Sequence, residues 1–109
     1  MAYDERLARR IRELLTGQDG LVEKKMFGGV GFMLHGNMAC GVIGDDVVVR
    51  VGPDAYGDLI MRPHTGPFDF TGRPMKGWLV VEPAGVASNE DLNRWVSLGT
   101  SFALSLPPK

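Results

Sequence analysis

The chain has 109 residues, with 12 basic and 13 acidic side chains and 44% hydrophobic content, which bounds it to one compact domain over 1–109 that can bury a core without disulfide or metal staples. A formal net charge of -1 supplies no overall field to hold nucleic acid or an anionic membrane, so strong direct nucleic-acid binding is not expected. No apolar run approaches the roughly 18 residues of a membrane span, the N-terminus lacks a secretory layout, and a single cysteine cannot form an internal disulfide; a cytoplasmic protein is the expectation.

From Asp4 to Leu15, the residues Leu7, Ile11, Leu14 and Leu15 recur at helical spacing beside Ala8, with Arg6, Arg9, Arg12 and Glu13 on the other side. The pattern predicts an amphipathic helix capped by Asp4 and stopped at Gly17. Leu21 to Phe27 is extended in composition but short. A β-meander follows, with Gly36-Asn37 and Gly44-Asp45-Asp46 as its turns. With Gly36 and Asn37 as the central residues of the first turn, Met33 faces Cys40 and Gly31 faces Val42 on one side of the sheet. Val30, Phe32, Leu34, Ala39, Gly41 and Ile43 line the other. Both faces then read as apolar, which predicts that the second is partly covered too, most simply by another copy of the chain, although an irregular strand produces the same pattern.

Val47 to Val51 reads as the third strand, with Arg50 as its one charge. Pro53 suits the first position of a short helix running to Met61. Arg62 to Pro67, broken by two prolines, reads as a loop. Phe68-Asp69-Phe70 is a short extended piece, 71–75 a turn, and Lys76 to Glu82 the last strand. Ser88-Asn89-Glu90-Asp91 has the form of a capping box, opening a helix whose stripe is Leu92, Trp95, Val96, Gly99, Phe102, Ala103 and Leu106. Gly99 in that stripe predicts a close approach between helix and sheet.

The motifs carry little chemistry. Gly28-Gly29-Val30-Gly31 lacks the Gly-Lys-Ser/Thr ending of a Walker loop and leads into a strand rather than a helix, so it reads as a backbone device and not a phosphate cradle. His35, Cys40 and His64 offer no short ligand pair, and neither a metal nor another cofactor is expected. Cys40 reads as a small buried hydrophobe. Asp45-Asp46 and Glu90-Asp91 are accounted for by turn and helix-start chemistry.

The order of motifs is more specific than any one of them. Lys24-Lys25-Met26-Phe27-Gly28-Gly29-Val30-Gly31-Phe32-Met33, then Gly36-Asn37-Met38-Ala39-Cys40-Gly41-Val42, then Arg50-Val51-Gly52-Pro53-Asp54-Ala55-Tyr56, then Asp69-Phe70-Thr71-Gly72-Arg73-Pro74-Met75-Lys76-Gly77 resemble the N-terminal domain of the TfoX/Sxy family. The resemblance implies an α+β fold, a two-layer α/β sandwich in the order α-β-β-β-α-β-β-α, with an antiparallel meander sheet of secretion-chaperone-like kind. Two-domain family members regulate natural competence genes alongside a cyclic-AMP-responsive activator and carry a C-terminal helical domain. This chain ends at Lys109 without one, so a stand-alone domain is the expectation. The family supplies no catalytic residues.

These readings point to a non-enzymatic regulatory or protein-interaction domain. Its expected contact residues are Lys24, Lys25, Arg73 and Lys76, converging near one edge of the sheet, together with an exposed face around Phe32 that a second copy of the chain would cover as a homodimer. The alternatives are a small ligand-binding protein or enzyme with a pocket near His64 and Arg73, or a DNA-binding transcription co-regulator, which the net charge weakens.

Overall fold

A computed structural model describes residues 3–26, 28–69 and 75–109. Helix α1 (Glu5–Leu14) precedes strands β1 (Leu21–Met26), β2 (Gly29–Leu34), β3 (Asn37–Ile43) and β4 (Asp46–Arg50). Helix α2 (Pro53–Leu59), strands β5 (Thr65–Pro67) and β6 (Trp78–Val81), a 3-10 turn (Pro83–Val86) and helix α3 (Asn89–Ser105) complete the chain. The six strands form one open antiparallel sheet in the order β1-β2-β3-β4-β6-β5. The fold is α+β, with the helices packed on a shared core.

Local chemistry explains the helix starts. The Asp4 carboxylate accepts from the backbone N–H groups of Arg6 (2.9 Å) and Leu7 (3.2 Å), satisfying two donors that have no partner inside α1. The Ser88 hydroxyl accepts from the N–H of Asp91 (3.0 Å) at the start of α3. Pro53 occupies the first turn of α2, where its missing donor costs nothing. Two long side chains then tie α1 to its surroundings. Arg12 grips both carboxylate oxygens of Glu23 on β1, which holds that carboxyl below its ordinary range. Arg10 donates to the Val86 carbonyl (2.8 Å) and to the Asn89 side chain (3.2 Å).

One strand exceeds the expected order, and another falls earlier in the chain than the expected Phe68-Asp69-Phe70 piece. Leu21–Met26 is a full edge strand, because all six residues pair with β2. Thr65–Pro67, expected as loop, pairs with β6, and Pro67 is tolerated there because β5 is the opposite edge.

The meander register also differs from expectation. The first hairpin turns on His35 and Gly36, both at positive φ (50° and 87°), as a two-residue hairpin of matching twist requires. Asn37 is instead buried, its side-chain amide donating to the Pro107 carbonyl (3.0 Å). Met33 therefore faces Met38, and a bulge at Ala39 then shifts the pairing to Phe32 with Cys40 and Gly31 with Gly41. Past the bulge every β3 side chain changes face relative to the uniform register. Cys40 and Val42 join Phe32 and Val30 in the helix-covered core, and Gly41 shares the other face with Gly31.

Close contact between α3 and β3 fixes this arrangement. A Cβ added to Gly99 would lie 2.3 Å from the Ala39 carbonyl oxygen, a distance that no rotamer change relieves. On an open helix, Gly→Ala gains about 1 kcal/mol. Gly99→Ala is expected to reverse that sign and cost about 2 kcal/mol or more, read as a lower urea midpoint at an unchanged slope.

Candidate functional site

The sheet's second face carries a groove of about 450 Å³. Beside it, the paired glycines Gly31 and Gly41 leave the middle of β2 and β3 without side chains on that face. Methionines from neighbouring positions lie over the gap. A Cβ on Gly31 would meet the Met26 methyl at 3.2 Å and the Met38 methyl at 3.4 Å, and one on Gly41 would meet the Met38 methyl at 2.8 Å. Met33 and Met75 also line it, so four of the five methionines among the described residues face this groove. Val30, Ile43, Phe68 and Trp78 supply further apolar surface. Unbranched thioether side chains repack easily around differently shaped partners, which makes such a surface adaptable.

The groove is electrically lopsided. Arg50 ends β4 beside the start of β3, so it sits at the same end as the His35–Gly36 turn. Its guanidinium carbon lies 5.2 Å from the Trp78 ring centre and 5.4 Å from that of Phe102. Among the described residues it meets these rings and no carboxylate. Lys109 lines the same end, packed on Gly36, and its backbone N–H donates to the His35 carbonyl (2.8 Å).

The expected contact residues do not form one patch. Lys24 and Lys25 are both exposed on β1, but alternation sends Lys24 to the groove face and Lys25 to the helix face. Lys76 is exposed just before β6, and strands β2, β3 and β4 lie between β6 and β1. Arg73 lies outside the described residues. Phe32 is a correction: its side chain is fully buried in the main hydrophobic core, because its face is the one the helices cover. No second copy can reach it. The apolar face left open is the methionine face, which the uniform register hid by exchanging the β3 side chains.

His64 is an exposed turn residue at positive φ (65°), beside a shallow depression lined by Arg62, Arg94 and Trp95. Its carbonyl accepts from the N–H of Glu82 (2.8 Å), which accounts for its position through the backbone alone. A pocket joining it to Arg73 is not assembled by the described residues.

Residues 13–103 match a family model described as the TfoX N-terminal domain. No curated protein matches the chain. Among the described residues no helix is long and apolar enough to cross a membrane, and no group of three or more His, Cys, Asp or Glu is placed to hold a metal ion.

Cys40 is the one nucleophile the sequence singles out, and the fold silences it. It is fully buried against the helices, and burial pushes its thiol up to about 12. His35 sits in the hairpin turn, 4.0 Å from the Asp19 carboxylate rather than beside the sulfur. A thiol reagent applied to the native protein at mildly alkaline pH is therefore expected to leave Cys40 unmodified, and to label one thiol per chain only after denaturant is added. Rapid stoichiometric labelling of the native protein would contradict this burial.

Proposed function

Because the chain belongs to the TfoX N-terminal domain family, a non-catalytic regulatory domain of competence-regulator-like kind, we propose that it works by docking a protein partner along the free edge of β1. The reading is supported by one observation above others. β1 is an edge strand of six residues, exposed from Val22 to Lys25, and Val22 alone retains 59% of its surface. An unpaired edge of that length offers backbone donors and acceptors to a partner strand. The opposite edge, β5, is three residues long and ends in proline, which makes it a poor template.

Lys24 and Lys25 are the contact residues in this reading, one on each side of the added strand. Lysine on an edge discourages indiscriminate pairing, so an acidic partner strand is favoured over a chance one. Lys76 and Arg73 belong to a separate part of the surface. The domain acts in the cytoplasm in this reading, and its sheet with helices on one side is of secretion-chaperone-like type.

Affinity capture with the wild-type chain and with the Lys24→Glu/Lys25→Glu double variant tests the proposal. The expected result is a partner retained by the wild type and lost by the variant at equal folded stability. Equal capture by both, or no partner at all, would sink the edge assignment. Binding to random duplex DNA at low salt would favour the co-regulator reading instead.

A further inference from the structure

The groove on the opposite side of the sheet from the core is a different surface from the β1 edge, and it has the make-up of a ligand site. We propose that it binds an amphipathic carboxylate, an apolar chain or ring system bearing one anionic head. Its volume of about 450 Å³ falls in the range of small-molecule pockets. Its apolar wall is built from methionines at Met26, Met33, Met38 and Met75, which adapt to a flexible chain.

Charge orients the ligand. Arg50 lies at one end with its guanidinium supported on Trp78 and Phe102 and its donors unspent on any carboxylate among the described residues. A planar guanidinium held by rings is prepared to accept a carboxylate in a two-pronged contact. Among the described residues that line the groove, Arg50 is the guanidinium and no Asp or Glu occurs. Asp46 is the acid at the far end of β4 and shares Arg50's face by alternation. An anionic head is thus attracted to the Arg50 end and disfavoured at the other. The apolar body then lies along the Met26, Met33, Met38 and Met75 side chains that line the groove. Both a fatty acid and an aryl-alkanoic acid fit this chemistry, and they share the recognition argued here.

Methyl-labelled methionine NMR of the full chain, titrated with decanoate below its micelle concentration and with decanol as the uncharged control, tests the site. The four groove methyls are expected to shift saturably with decanoate, whereas Met61, 82% exposed and outside the groove, stays fixed. Decanol is expected to bind at least about tenfold more weakly, and Arg50→Gln to weaken decanoate by a similar factor, since each removes a charge-assisted contact. Arg50→Lys, which keeps the charge but loses the fork, is expected to fall between. Phenylbutyrate in place of decanoate reports whether chain or ring is preferred. Unmoved groove methyls, or equal affinity for decanoate and decanol in the wild type, would overturn the proposal without reliance on any variant. So would groove shifts that follow protein dilution in the absence of ligand, which would assign the groove to a second copy of the chain.

Discussion

The carbonyl of Ala39 and the missing side chain of Gly99 meet at the point on which the rest of the molecule depends. The Ala39 oxygen stands where a Cβ on Gly99 would come within 2.3 Å, so α3 can seat on β3 only because position 99 is glycine. That seat coincides with the bulge, where β3 has one residue more than β2 can pair. The extra residue is what sends Cys40 and Val42 to the helices and Gly41 away from them. Without it, a continuous register would bring Gly41 under α3 and leave Val42 on the outside. Burial of Val42, Phe32, Val47 and Val49 at 0% exposure follows from the bulge as much as from their hydrophobicity.

The same irregularity makes the groove. Gly31 and Gly41 become neighbours across β2 and β3 only in the shifted pairing. Paired glycines in the centre of a sheet are poor strand formers, and their presence has a reason when something occupies the space they leave. Here methionine side chains span that space, and Arg50 closes one end on its two aromatic rings. Core and groove are two results of one register. The helix-side layer is branched, close-packed and fixed; the other side is lined by flexible thioethers and borders solvent. Function that depends on accommodation belongs on the second side, and function that depends on an exposed backbone belongs on β1.

Much of this was legible in the residues, and the failures have physical causes. Asp4 and Ser88 announced both long helices because capping is local chemistry, readable from neighbours in the chain. Gly99 announced a close approach because its place in an apolar stripe left few other roles. The apolar nature of both sheet faces was also visible from alternation. What alternation could not supply was the bulge. A single unpaired residue leaves no periodic trace, and it inverts every assignment downstream of it. Even alternation joins Phe32 to Gly41 and Ile43 rather than to Cys40 and Val42, and so places it outside while it fills the core. A turn whose first central residue is histidine at positive φ added to the error, since Gly36-Asn37 has the more familiar composition. Charge alone groups Lys24 and Lys25 with Lys76, but strand order, a long-range property, separates the pair on β1 from Lys76. The family resemblance depended on motif order and was unaffected by these local faults.

Strand β3 changes face at Ala39, so that Met38 and Val42 lie on opposite sides of the sheet although even spacing would put them on the same one. Solvent paramagnetic relaxation of side-chain methyl groups measures this directly. With a soluble gadolinium chelate, the Met33 and Met38 methyls are predicted to relax strongly while those of Val42 remain protected. Comparable broadening of Met38 and Val42 would contradict the bulged register, and with it the groove and the buried position of Phe32.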